Sequence, residues 1–136
     1  MAFHWDLLVK NKLGQTLLTW RDDKFYGPAW HIPGGIIRFK EKIEDRINKV
    51  AENDLGCEVK FCTTPLDIRE MMNKDRDIRG HFISMLYSCE IVGNPDNLKR
   101  SLDNNPQHGQ WAWHEEAPQN LLRVHEPFRR FINGTK

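Results

Sequence analysis

The stretch Gly34–Cys57, GGIIRFKEKIEDRINKVAENDLGC, decides the fold. A glycine pair permits close backbone approach and leads into a segment with helical periodicity. Ile43, Ile47 and Val50 recur at i, i+4 and i+7, so the spacing predicts a helix over residues 42–55. Leu55-Gly56 supplies its C-terminal stop. A Gly-rich turn running into a helix start suits phosphate, and Mg²⁺ takes carboxylate, carbonyl and phosphate oxygens. The helix also carries an oddity. At roughly 100° per residue, Ile43, Ile47, Val50 and Asp54 fall within an arc of about 60°. Asp54 therefore points where the apolar stripe points, and a buried carboxylate without a partner is costly. Either the helix frays and Asp54 reaches water, or Asp54 faces a metal or cation in a cleft. Glu41, Asp45 and Glu52 lie on another face and read as a solvated stripe.

On the N-terminal side, residues 3–10 and 15–21 flank a turn at Asn11–Gly14 and predict a hairpin. Residues 22–29 form a loop rich in charge, Gly and Pro, and WHIPGG (30–35) reads as a short strand. Downstream, CEVKFC (57–62) and HFISMLYSCEIV (81–92) read as strands by their β-branched and aromatic content. Residues 66–72 extend the first of these or form another, and QWAWHE (110–115) alternates like a strand. Residues 73–80 and 93–109 are polar connections. A C-terminal helix is expected over 116–133, with Leu121, Leu122, Val124, Phe128, Phe131 and Ile132 on its apolar side and Pro127 as a break or turn. The tryptophans Trp20, Trp30, Trp111 and Trp113 read as core. Phe25 and Tyr26, in the exposed loop, are the better stacking surfaces. Lys74, Arg76 and Arg79 read as a solvated loop.

The length of 136 residues fits one domain over 1–136. Lys plus Arg (20) nearly cancels Asp plus Glu (19), leaving +1, which weighs against a broad electrostatic grip on nucleic acid or anionic lipid. No apolar run approaches the roughly 20 residues of a membrane span. The N-terminus, MAFHWDLLVKNK, lacks the basic start and apolar stretch of a signal peptide. Cys57, Cys62 and Cys89 have no metal spacing and read as reduced thiols, small core residues of a cytoplasmic protein.

The 34–57 stretch resembles the Nudix box, G-x5-E-x7-R-E-U-x-E-E-x-G-U. Gly35, five residues, Glu41 and seven residues lead to KVAENDLGC (49–57). The glycines, the first Glu and the spacing match. Lys49 replaces the box's Arg, Val50 the next Glu, and Asn53-Asp54 the Glu pair. The resemblance implies an α/β fold, the Nudix α/β/α sandwich with a central mixed sheet.

Beyond the box, the chain is similar to the GDP-mannose mannosyl hydrolase branch, which keeps only the last Glu of the box as a metal ligand and cuts at the sugar carbon. Trp20-Arg21, then WHIPGG (30–35), Asp6 on the first strand, and Pro106-Gln107-His108 ahead of WAW (111–113) all fit that branch. The resemblance implies a homodimer that hydrolyses a nucleoside-diphosphate sugar with Mg²⁺. In it, Gly34, Asp54 and Gln107 hold the metal, and His108 is the general base. Arg21 stabilises the leaving diphosphate. Asp6, Arg21, Arg38 and Phe82 contact substrate. The branch's Arg after the glycine pair is Ile36 here, with Arg38 close by, and its Tyr on the later strand is Phe82. Two alternatives stay open: a phosphorus-attacking Nudix hydrolase using Glu41, Glu52 and Asp54, and a non-catalytic nucleotide-sugar-binding domain.

Overall fold

The strands β1 (Ala2–Lys10) and β7 (His81–Val92) lie side by side and parallel, with Ala2 opposite Phe82 and Lys10 opposite Glu90. They form the spine of a mixed sheet in the computed structural model, which describes residues 2–24, 26–73 and 80–133. Phe25, Lys74, Arg76 and Arg79 lie outside the described residues. On the far side of β7, β5 (Glu58–Phe61) and β6 (Asp67–Met72) pair antiparallel with successive halves of it. On the free edge of β1, β4 (Gly34–Ile36) pairs antiparallel with its middle and β2 (Thr16–Arg21) with its end. The strand β2 in turn carries β3 (Ala29–His31) and β8 (Trp111–His114).

Side chains alternate across β1, so its two faces feed two cores. Trp5, Leu7 and Val9 pack with Leu17, Tyr87 and Trp111 beneath the helix α1 (Ile43–Val50). Ile47, Ala51 and Leu55 are that helix's contribution. Leu8 packs on the opposite face with Leu18, Trp30, Ile32 and Leu86, covered by Leu121, Phe128 and Ile132 from the C-terminal segment. This is the expected α/β/α sandwich.

The helix runs on from α1 as a π turn over Ala51–Leu55 and ends at Gly56, whose left-handed φ of +69° suits glycine. Three other expectations change. WHIPGG is two strands: β3 pairs with β2 and β4 with β1, and the chain changes partner at Ile32-Pro33, where proline has no N–H to give. The single helix over 116–133 is a 3₁₀ stretch over Arg123–Phe128 followed by a short α2 (Arg129–Asn133). Pro118 and Pro127 disfavour a continuous helix, and Leu121 bridges Trp30 instead. Cys89 is buried and Cys57 half-buried as expected, but Cys62 is exposed.

Where β1 meets β4, Gly34 sits against the Asp6 carboxylate and the Trp5 carbonyl. A Cβ there would collide with both. Gly34→Ala is therefore expected to lower folding stability by about 1–3 kcal/mol, read from urea unfolding. An unchanged midpoint would mean that β4 does not press on β1.

Candidate active site

A cleft of about 940 Å³ opens along β1, β2 and the helix. Among the described residues, the cations Arg21, Arg38, Arg46 and Lys99 line it. So do the carboxylates Asp6, Asp23 and Asp54 and the imidazoles of His4, His31, His108 and His125.

On the helix, Arg46, Val50 and Asp54 share the cleft face, four residues apart. Ile43, Ile47, Ala51 and Leu55 face the core beside them. The π turn has more residues per turn than an α-helix, which rotates Asp54 off the apolar stripe and onto the cleft wall. There it stands exposed on one side. Protein crowds its other side and raises its carboxyl above the ordinary value, against the pull of Lys99. Glu41 is bound by the Arg46 guanidinium, Nη2 to Oε2 at 2.8 Å, with Nε on the other oxygen. This pairing holds the Glu41 carboxyl below its ordinary value. Glu52 is exposed and does not line the cleft. The helix thus offers the cleft a single carboxylate.

At Gly34 the backbone is available. The Leu7 N–H donates to Pro33 O and the Ile37 N–H to Phe3 O, at 2.8 Å each. Antiparallel ladders alternate, so Gly34, midway between bonded positions, directs its own N–H and C=O away from β1.

Asp6 is buried (5% exposed) rather than an outward position on an alternating strand. Ser84 Oγ–H donates to its Oδ2, and burial pushes its carboxyl up to about 7. His125 Nε2 lies 3.6 Å from Asp6 Oδ1, and His125 Nδ1 accepts the Ile32 N–H at 3.1 Å. His31 donates from Nδ1 to Thr19 O at 2.9 Å. Its ring lies 6.1 Å from that of His125. Burial pushes His31 down to about 4 and His125 well below the ordinary histidine value.

Arg21 is fixed at the cleft wall. Its Nε donates to Asp23 Oδ2 at 2.9 Å, and its guanidinium lies 4.5 Å over the Tyr26 ring. Tyr26 therefore stacks on Arg21. Phe82 lines the cleft and stacks on His4 at 4.1 Å, and Ile36 and Arg38 line it nearby. His108 lines the cleft, with Nδ1 accepting the Asp22 N–H at 3.0 Å. Gln107 is not brought to Asp54. Its Nε2 donates to Asn105 O at 3.3 Å, and it lines a neighbouring pocket of about 580 Å³ with Asp22 and Asp103. Among the described residues no three His, Cys, Asp or Glu side chains converge as a metal cage. The donors that do reach the cleft, Asp54 and the Gly34 carbonyl, fit an ion such as Mg²⁺ that keeps waters and takes phosphate oxygens.

The sequence reading missed His125 and Ser84, and it took His31 only as a structural part of WHIPGG. His125 was detectable: it interrupts the apolar series Leu121, Leu122, Phe128 and Ile132 at a core position.

No family model matches the chain. The chain is 20% identical to a MutT Nudix hydrolase from Burkholderia pseudomallei, covering 90% of each chain with a TM-score of 0.69. A MutT protein from Methanosarcina mazei Go1 aligns over 97% of this chain and 92% of its own, at 15% identity and a TM-score of 0.64. The fold is that of the Nudix hydrolases. A UDP-X diphosphatase shares it at 14% identity and a TM-score of 0.62, over 88% of this chain and 54% of its own. In sequence, the chain is 25% identical over 133 residues to the low-salt glycan biosynthesis protein Agl8 of Haloferax volcanii, covering 95% of this chain and 78% of that protein. No helix among the described residues is long and apolar enough to cross a membrane.

The buried groups set a pH dependence of stability. Unfolding returns His31 and His125 to about 6.5, so between about 6.5 and 4 the unfolded chain binds protons that the folded chain refuses. Stability therefore falls on acidification through that window. Asp6, raised to about 7, works in the opposite sense, its stabilising protonated form being lost as pH rises through 7. Two histidines outweigh one carboxyl. Urea midpoints measured from pH 7 to 4 are expected to fall, less steeply for His125→Gln and more steeply for Asp6→Asn. Parallel profiles for all three proteins would contradict this.

Proposed function

We propose that the chain is a Mg²⁺-dependent hydrolase of a nucleoside-diphosphate sugar, of GDP-mannose type, in which water attacks the anomeric carbon. The observation that carries the reading is the separation of the box's acids. Asp54 alone faces the cleft, while Glu41 is bound to Arg46 and Glu52 lies outside. One carboxylate suits a single ion that neutralises a leaving diphosphate better than a multi-ion assembly working at phosphorus. The likeness to a UDP-X diphosphatase and to a glycan biosynthesis protein fits a sugar-bearing nucleoside diphosphate.

When bound, Mg²⁺ would be held by Asp54 and the Gly34 carbonyl and would draw charge from both phosphates. Gln107, which the resemblance adds to that set, would have to give up its bond to Asn105 O to contribute its side-chain oxygen. Arg21, already oriented by Asp23 and Tyr26, meets the developing charge on the departing diphosphate without reorganising. Arg38 and Phe82 border the substrate at the same wall. His108 accepts the proton of the attacking water. Its Nδ1 is the nitrogen free of hydrogen, and the Asp22 N–H must release it first. Three free thiols, Cys57, Cys62 and Cys89, go with a reducing, cytoplasmic setting, which belongs to the same reading. The homodimer belongs to the same reading, on the likeness to the mannosyl hydrolases.

Incubation with GDP-mannose and Mg²⁺ is expected to yield mannose and GDP. Asp54→Asn removes the one carboxylate that the helix presents to the cleft. It is expected to abolish Mg²⁺ dependence and to lower kcat by at least about 10²-fold. Glu41→Gln is expected to cost far less activity and mainly to loosen Arg46. Mannose phosphate and GMP as products, with equal losses from the two variants, would favour the phosphorus-attacking alternative with Glu41, Glu52 and Asp54. No turnover of any diphosphate would favour the binding domain.

A further inference from the structure

The floor of the cleft differs in chemistry from its rim. The cations Arg21, Arg38, Arg46 and Lys99 line its walls. On the sheet face shared by His4, Asp6 and Leu8, the buried lining includes two titratable groups, Asp6 and His125, both more than nine-tenths buried. Neither is spent on the other. The 3.6 Å between His125 Nε2 and Asp6 Oδ1 is too long for a hydrogen bond. The remaining valences of both groups are committed elsewhere. Asp6 Oδ2 takes the Ser84 hydroxyl, and His125 Nδ1 takes the Ile32 N–H. Because Nδ1 accepts, the neutral ring carries its hydrogen on Nε2. A fixed donor and a fixed acceptor thus stand side by side in the cleft, separated by a gap that one further oxygen can bridge.

We propose that Asp6 Oδ1 and His125 Nε2–H form a hydroxyl-recognition pair that holds one hydroxyl of the sugar and makes the enzyme selective for it. A hydroxyl accepts from Nε2–H and donates to the carboxylate at once. A phosphate oxygen carries no hydrogen to give, so it satisfies only the donor and leaves Asp6 Oδ1 unpaired, and the diphosphate is left to the cations at the walls. The backbone fixes the pair on both sides. Gly34 presses on Asp6 Oδ1, and the Ile32 N–H anchors His125 at the bend between β3 and β4. The C-terminal segment, remote from the box, thereby sets sugar specificity. Losing the hydroxyl leaves two buried polar groups unpaired, which is costly.

The inference rests on the nucleotide-sugar reading above. Its test compares GDP-mannose with its 2-, 3-, 4- and 6-deoxy analogues on the unmodified protein and on Asp6→Asn and His125→Gln. On the unmodified protein, one deoxy position is expected to lose on the order of 10²-fold or more in kcat/KM, and the others little. In both variants that discrimination is expected to collapse at that position alone, while the Mg²⁺ dependence persists. A merely structural role would lower activity toward all the sugars together. Turnover with no position standing out, or with the same position standing out equally in both variants, overturns the recognition pair and leaves the hydrolase reading intact. GDP-mannose that is neither bound nor cleaved overturns both.

Discussion

The contact between the Asp6 carboxylate and the bare Cα of Gly34 governs the geometry of the cleft. It exists because β1 is paired along both edges, with β7 on one side and β4 on the other. The parallel neighbour supplies Ser84 to one oxygen of Asp6, and the antiparallel neighbour brings Gly34 against the other. A side chain at position 34 would push β4 outward and carry with it the carbonyl that faces away from β1. A buried carboxylate is costly in isolation, and here its burial is sustained by the ladder on both flanks.

The helix solves a second problem by having two faces. Ile43, Ile47, Ala51 and Leu55 close the first core. Arg46, Val50 and Asp54 line the cleft. The helix sends only Asp54 of its acids to the cleft, because Arg46 occupies Glu41 and the π turn rotates Asp54 outward. Charge is sorted in consequence: cations at the walls, one exposed carboxylate on the helix, and polar groups held dry on the sheet. This sorting matches a substrate with a charged half and a neutral, hydroxyl-bearing half.

Much of this was legible in the sequence, and the losses have physical causes. Helical period and the Gly56 stop located the helix, and the polar residue in the apolar stripe drew attention to Asp54. Its final orientation depends on a π turn, which a fixed 100° step misplaces. The strand segments were readable, but not the parallel pairing of β1 with β7, because Asp6 and Ser84 meet across 78 residues of chain. The C-terminal stretch looked helical from its leucines and phenylalanines. Pro118 and Pro127 overruled that period, and the resulting 3₁₀ turn is what places His125 against Asp6. Gln107 was chosen through its neighbour His108. In the structure His108 lines both the cleft and the adjoining pocket, whereas Gln107, bonded to Asn105 O, lines only the adjoining one.

The central claim is that water attacks carbon, and the fate of its oxygen tests it most directly. Product identity alone is not decisive, since attack at the outer phosphorus would also release mannose and GDP. Reaction of GDP-mannose with Mg²⁺ in ¹⁸O-labelled water, followed by mass spectrometry of both products, separates the two. The account predicts the label in mannose and unlabelled GDP. Label in GDP, with mannose unlabelled, would contradict it.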